Sequence, residues 1–265
     1  MAYSKLLVEQ EQGVARIVLN RPESFNSYDL ELAAELEQAM ETCGRDPGVK
    51  VLILTGEGKA FCSGGDIKEM HHWMESPKEP VSVLFQRLTR HLHATVVEMR
   101  RMSKPLVAAI NGVAAGAGFS LAMACDIRLA SESARFTQAY TRIGLVPDGG
   151  SSYFLPRLLG QARAAELMFL NRVLSAQEAL QWGLVSRVVS PEALAEQAMD
   201  LALELARGPK VAYRLLKGLL RTSWELCLEG QLEEERRAIV EASLTPDFQE
   251  GIEAFMNKRE PRFAK

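Results

Sequence analysis

Apolar and polar positions alternate over Leu6–Gln10 and again over Val14–Leu19, with Gln12-Gly13 between them, which predicts a two-stranded hairpin. Asn20-Arg21-Pro22 ends the second strand, because proline has no N–H to give a ladder. From Asp29 to Thr42 the period lengthens. Leu30, Ala33, Ala34, Leu36, Ala39 and Met40 recur at helical spacing. Asp46-Pro47-Gly48 is a turn, and Val51–Leu54 is apolar throughout, as a strand covered on both faces would be. A glycine-rich loop, Gly56–Gly65, follows, with a helix starting at Asp66 and a longer one over Val81–Met102.

The same order then returns. Leu106–Ile110 reads as a buried strand, Asn111–Gly118 as a glycine loop and Phe119–Ala124 as a short apolar helix. Asp126–Ala130 and Arg135–Thr137 read as further strands. Beyond Pro147-Asp148-Gly149-Gly150 the pattern is mostly helical: Ser151–Leu159, Arg163–Leu170, Ala176–Trp182, Pro191–Ala206, Lys210–Leu226, Gln231–Ala242 and Asp247–Lys258. The mixed strand–helix part therefore ends near residue 190, and the rest is all helix.

Composition narrows the class. With 265 residues, 47% hydrophobic and 25% charged, the chain is an ordinary globular protein that needs no metal or disulfide for stability. A net charge of −3 gives no electrostatic footprint for nucleic acid. The four cysteines, Cys43, Cys62, Cys125 and Cys227, form no C-x-x-C pair, which fits a reducing compartment. No apolar run reaches 18 residues, and the N-terminal residues contain no signal-like apolar stretch, so a cytoplasmic protein without membrane contact is expected.

The glycine loops invite three readings. Gly112, Gly116 and Gly118 could cradle a nucleotide, with Tyr213-x-x-x-Lys217 imitating a dehydrogenase pair, but that fingerprint belongs on a first strand and here a hundred residues precede it. Gly118-Phe119-Ser120 imitates a nucleophile elbow, yet all four histidines (His71, His72, His91 and His93) precede Ser120, against the hydrolase order. The third reading is an oxyanion hole, in which backbone N–H groups of both loops meet one ligand oxygen that is becoming an enolate. Two sites of close packing would leave the same glycines. Glu69-x-x-His72 has the spacing of a di-iron helix but no second copy, so no metal site is expected.

Phe61-Cys62-Ser63-Gly64-Gly65-Asp66, followed by Ala108-Ala109-Ile110-Asn111-Gly112-Val113-Ala114-Ala115-Gly116-Ala117-Gly118, resembles the crotonase superfamily, the enoyl-CoA hydratase/isomerase fold. Cys125–Ala130, Gly183-Leu184-Val185 and the segment Glu250–Phe263 are similar as well, in the family's order. The resemblance implies an α/β fold of repeated β-β-α units, with residues 1–190 as the acyl-CoA-binding catalytic core and 191–265 as a helical oligomerisation region. It implies an acyl-CoA thioester substrate, no separate cofactor, and homotrimers or hexamers. Gly65 and Ala117 would supply the oxyanion-hole N–H groups, Ala117 standing where many members have glycine. Arg21, Ser24, Phe25, Ser63, Asp66, Ile67 and Lys68 would line the CoA cleft, and Phe255 and Lys258 would reach the CoA from a neighbouring subunit. Met70–Val81, with Trp73, Met74 and two prolines, would cover the acyl pocket.

By the same resemblance, the two glutamates of hydratases fall on Ser120 and Tyr140, neither of which is a carboxylate, so the paired acid–base arrangement for hydration is missing. Asp148 falls where isomerase members carry a catalytic aspartate, the phenylacetate-pathway ring-epoxide CoA isomerases being most similar. Within the chain alone, Pro147-Asp148-Gly149-Gly150 reads first as an ordinary turn whose aspartate caps the next helix, where the helix dipole favours its ionised form, and it is the resemblance that turns the reading to catalysis. His93 and Asp148 also fall on the catalytic histidine and nucleophilic aspartate of 4-chlorobenzoyl-CoA dehalogenases, although Tyr140 stands where those enzymes carry tryptophan. The expectation is an acyl-CoA isomerase. A hydratase-like lyase, a dehalogenase-like hydrolase using Asp148 and His93, and a non-catalytic acyl-CoA-binding relative are the alternatives.

Overall fold

A computed structural model describes residues 3–75 and 78–263. The chain opens with the expected hairpin, β1 (Leu6–Glu11) and β2 (Val14–Leu19), then a 3-10 turn at Pro22–Ser24 and helix α1 (Leu30–Arg45). The Asp29 carboxylate accepts from the Leu32 N–H at 2.8 Å and so caps α1. Next come β3 (Val51–Gly56), β4 (Ala60–Cys62), α2 (Ile67–Glu75) and α3 (Val81–Arg101). The second round supplies β5 (Leu106–Ile110), β6 (Val113–Ala115), α4 (Ala117–Ala124), β7 (Ile127–Ser131) and β8 (Arg135–Thr137). A 3-10 turn at Tyr140–Ile143 leads to α5 (Ser151–Leu159), α6 (Gln161–Leu170), β9 (Leu174–Ser175), α7 (Ala176–Gln181) and β10 (Arg187–Val189). Four helices end the chain: α8 (Leu194–Ala206), α9 (Lys210–Thr222), α10 (Leu228–Ser243) and α11 (Pro246–Met256).

The strands form two sheets. The larger has the order β1-β2-β3-β5-β7-β10, parallel except for the β1–β2 hairpin. Its alternating side chains divide between two cores, as the period of two in a strand requires. Leu52, Leu54, Leu106, Ala108 and Ile110 join the main core with α1, α3 and α4. Val51, Ile53, Val107, Ala109 and Leu129 meet Leu194, Ala198, Ala202 and Ala206 of α8 on the opposite face. That two-sided burial is why these strands carry uninterrupted apolar runs.

The smaller sheet, in the order β4-β6-β8-β9, contains elements that the sequence pattern conceals. β4 and β6 lie inside the segments read above as glycine loops, and each is only three residues long. They pair in parallel, and β6 pairs in parallel with β8. Isolated three-residue strands have too little length to show a period. Tertiary pairing makes them, not propensity. Helix α4 likewise starts at Ala117 rather than Phe119, directly off β6, while α9 ends at Thr222 and α8 starts at Leu194.

Helix α9 is held unusually. Its single buried residue is Lys217, whose Nζ reaches Asp126 Oδ2 at 2.7 Å and the Lys104 carbonyl at 2.9 Å. Asp126 also accepts from the Leu106 N–H and from Arg100. The buried ammonium is therefore compensated where it sits, as a buried charge must be.

Close approach fixes the junction of β4 and α4. A Cβ on Gly118 would lie 2.2 Å from the Cys62 carbonyl oxygen, and one on Gly112 would lie 2.0 Å from that of Lys59. Neither neighbour can yield, because both are backbone. Gly118→Ala is therefore expected to destabilise the fold by about 3 kcal/mol or more, at the upper end of overpacking changes. Urea denaturation of the variant against the parent checks this, and an unchanged midpoint would contradict the packing described.

Candidate active site

The two glycine segments end at one cavity of about 470 Å³. Its walls are Ser63, Gly64 and Gly65 after β4, Gly116 and Ala117 at the start of α4, Ile67 and Met70 of α2, and Phe85, Leu88, Thr89 and Leu92 of α3. Tyr28, Gln138 to Tyr140, Arg142, Ile143, Leu145, Val146 and Asp148 complete it. Most of the lining is apolar, so polar groups in it stand out.

The backbone is arranged to leave two donors free. Tyr28 pairs with the chain at Gly65 as a parallel bridge: its N–H donates to the Gly64 carbonyl at 2.8 Å, and its carbonyl accepts from the Asp66 N–H at 3.1 Å. In such a bridge the intervening residue turns its own N–H the other way. The Gly65 N–H has no acceptor among the described residues. Ala117 is the first residue of α4, where no intrahelical acceptor exists, and its N–H is likewise without one. Gly116, at φ +50° and ψ −123°, takes a conformation open to glycine, and its N–H is bound to the Thr137 carbonyl at 3.1 Å. Gly64 has φ +94° and lies close against it, so the two donor loops meet at two glycines.

The segment leading to Gly65 is pinned from behind. Asp66 Oδ2 accepts from Arg21 at 3.0 Å and Ser27 Oγ at 2.8 Å, while Oδ1 accepts from the Lys68 and Glu69 N–H groups. Arg21 also pairs with Asp29 at 3.0 Å. Burial pushes the Asp66 carboxyl up, but the hydrogen bonds from Ser27, the Glu69 N–H and Arg21 outweigh it and hold it below the ordinary value of 3.8. The Ser63 N–H donates to the Phe25 carbonyl at 3.1 Å, and Ser24 Oγ donates to the Arg21 carbonyl. The residues expected for the CoA cleft, Arg21, Ser24, Phe25, Ser63, Asp66, Ile67 and Lys68, thus form one connected patch, of which Ser63 and Ile67 line the cavity. Phe25 is half exposed and Lys68 is exposed. Phe255 on α11 and Lys258 just beyond it are exposed and do not line the cavity of their own chain. Ser76 and Pro77, part of the stretch expected to cover the pocket, lie outside the described residues; Met70 in that stretch does line it.

Asp148 is the one carboxylate among the described lining residues. It does not cap α5 with its side chain; that helix starts after Gly150, without a side-chain cap. Its Oδ1 instead accepts from the Tyr140 hydroxyl at 2.6 Å. Burial pushes the Asp148 carboxyl above its usual value, against the opposing pull of the Tyr140 hydrogen bond and of charge on His93. Ser120 is fully buried beneath them: its Oγ lies 3.1 Å from the Tyr140 hydroxyl, 2.7 Å from Ser151 Oγ and 3.0 Å from the Asp148 carbonyl. A hydroxyl so enclosed cannot reach a ligand. His93 is exposed on α3, and its Nε2 accepts from the Gly149 N–H at 3.4 Å, outside the cavity lining. His91 turns away, with Nδ1 2.5 Å from Glu37. The sequence pattern did not announce the Tyr140–Asp148 contact, since nothing in the spacing of eight residues across a turn fixes it.

A family model described as Enoyl-CoA hydratase/isomerase matches residues 9–265. The chain belongs to the enoyl-CoA hydratase/isomerase family. Among relatives of this family, a 1,2-epoxyphenylacetyl-CoA isomerase of Escherichia coli is 38% identical over 97% of both chains. A crotonyl-CoA hydratase of Syntrophomonas wolfei is 33% identical over 99% of both. A putative enoyl-CoA hydratase/isomerase of Mycobacterium abscessus superposes with a TM-score of 0.93 at 35% identity, covering 98% of this chain and 99% of the other. These structural relatives establish the crotonase fold for this chain.

The Asp66 cluster makes a pH prediction for this family member. Its carboxyl titrates lower in the folded than in the unfolded chain. The stabilisation is therefore complete above the unfolded value near 3.8 and is lost as pH falls through the lower folded value. Asp66→Asn should lower stability at pH 7 by about 1–3 kcal/mol and flatten that acid limb. Thermal unfolding from pH 3 to 7 checks both, and an equal loss at every pH would refute the ionic account.

Proposed function

We propose that this enoyl-CoA hydratase/isomerase family member is an acyl-CoA isomerase that moves a double bond, or rearranges an unsaturated or aryl acyl group, through an enolate. The observation that carries the reading is that Asp148 is the single carboxylate lining the cavity among the described residues. Hydration by acid–base catalysis needs two positioned groups to hold and split a water. A proton shift within one acyl group needs one. The thioester oxygen would sit against the Gly65 and Ala117 N–H groups, which stabilise the negative charge that grows on it. Asp148 would take a proton from the α- or γ-carbon and return it to another carbon of the same acyl group. The apolar walls would exclude water and keep that proton from exchanging.

A carboxyl raised by burial is a stronger base than a free one, and it works only when ionised. Activity is therefore expected to rise with pH through a limb above the ordinary aspartate value of 3.8. The exposed position of His93, outside the lining, favours the isomerase over the dehalogenase-like reading. The apolar side chains exposed along the last helices, Leu216 and Leu220 on α9 and Ile239 on α10 among them, support self-association into the trimer or hexamer, with Phe255 and Lys258 facing a neighbour's CoA.

Incubation with a panel of enoyl-, dienoyl- and aryl-CoA esters, read by mass and ultraviolet absorbance, tests the reading. An isomer keeps its mass, hydration adds water, and dehalogenation exchanges halogen for hydroxyl. Asp148→Asn should keep fold and CoA binding and lower kcat by about 10²–10⁴. Ser120→Ala and His93→Ala should cost far less. Full activity in Asp148→Asn would end the reading, and a large loss in His93→Ala with an ester trapped on Asp148 would favour the nucleophilic alternative.

A further inference from the structure

We propose that Tyr140 is the positioning residue of this site: its hydroxyl locks Oδ1 of Asp148 and leaves Oδ2 as the atom that carries the substrate proton. The inference rests on the isomerase reading and extends it to a side chain that the reading does not require.

The geometry starts from the turn. Tyr140 opens a 3-10 turn entered through Ala139 at φ +57°, and this swings the ring inward, where the residue is 8% exposed. The hydroxyl has one proton, and its neighbours decide where it goes. Asp148 Oδ1, at 2.6 Å, can only accept while ionised, so the Tyr140 O–H donates to it. The phenol's lone pairs then face Ser120 Oγ at 3.1 Å. Ser120 in turn touches Ser151 Oγ, the Asp148 carbonyl and the Gly116 carbonyl. The buried phenol is thus met on its other side by the Ser120 hydroxyl, which Ser151 and two carbonyls hold in turn, and it is aimed at the carboxylate. Among the described residues no other side chain donates to the Asp148 carboxyl, whose one further hydrogen bond is to its own backbone, so Oδ2 is the oxygen that no side chain holds.

The proton balance follows. Oδ2 forms a bond to the substrate proton as the C–H pair passes into the enolate, whose oxygen faces the Gly65 and Ala117 N–H groups. The enolate then takes the same proton back from Oδ2 at the second carbon, and the carboxylate is restored. Throughout, Tyr140 keeps its own proton, because burial and the charge of Asp148 raise its phenol well above the usual value. It is a fixed donor and not a second base. One locked oxygen means that the carboxyl plane does not rotate between the two transfers, and a single oxygen serves both carbons.

Among the described residues the titratable groups that interact with Asp148 are Tyr140 from the turn, His93 from α3 and Tyr28 from the segment before α1, while Arg142 lines the same cavity. Among the described residues Tyr140 alone holds the carboxylate by a hydrogen bond from its side chain.

Tyr140→Phe keeps the ring and removes only the donor, so it tests the proposal. In protein labelled with ¹³C at the aspartate carboxyls, the Asp148 resonance, assigned by its loss in Asp148→Asn, should titrate about one to two pH units higher in Tyr140→Phe, the size of a charge-assisted hydrogen bond. The acid limb of kcat/KM should move up by the same amount. The KM for the CoA ester should stay within about twofold while kcat falls. Ser120→Ala, which only loosens the phenol, should move both limbs the same way by less. An unchanged or lowered Asp148 midpoint in a folded Tyr140→Phe would overturn the proposal, and so would a pH-independent loss of activity. The carboxyl titration needs no turnover. An upward shift together with no isomerised product from any ester would therefore overturn the isomerase reading while the Tyr140–Asp148 lock stood.

Discussion

The parallel pairing of Ala60–Cys62 with Val113–Ala115 is the constraint on which the rest of the site depends. Each of these three-residue strands is too short to persist alone. Together they deliver Gly65 and Ala117 to one cavity wall, because each strand passes within a few residues into the segment that bears a free N–H. The larger sheet and its helices on both faces serve this arrangement by holding β3 and β5 in register, so that the chain leaves both at the same level. The glycines at 112 and 118 are then a necessity of backbone meeting backbone, not of flexibility.

Much of this architecture can be read in the chain. The hairpin, α1 and the strands β3 and β5 follow from apolar spacing, because each buries a long continuous face. The cavity's two glycine segments are equally visible, and the resemblance singles out Gly65 and Ala117, whose N–H groups have no acceptor among the described residues. What the chain hides has a physical cause. β4 and β6 are made by contacts between segments fifty residues apart, and no local pattern encodes that. Asp148 reads as a turn residue beside a helix start, and its backbone does lie there, while its side chain looks back to Tyr140. Side-chain direction at a turn is decided by what occupies the space around it, here a phenol delivered by a 3-10 turn eight residues upstream.

The site also separates two kinds of work. The donors that would meet the thioester belong to the backbone, fixed by sheet pairing and a helix start. In the proposed reaction the proton would be carried by Asp148, held by Tyr140, on a different stretch of chain. On that proposal a change of side chain there would alter the reaction without moving the donors, and the relatives reported above are named one an isomerase and one a hydratase within the same family.

Cys62 sits at the end of β4, fully buried against α4, and burial pushes its thiol up to about 12. Such a sulfur is neither accessible nor nucleophilic while the strand stays paired. Cys227 is exposed, whereas Cys43 and Cys125 are buried elsewhere. An alkylating reagent therefore meets one ready thiol on the folded chain. Its slow capture of Cys62 would clock how often the β4–β6 ladder comes apart, so the strand that places the donors also carries a chemical record of its own opening.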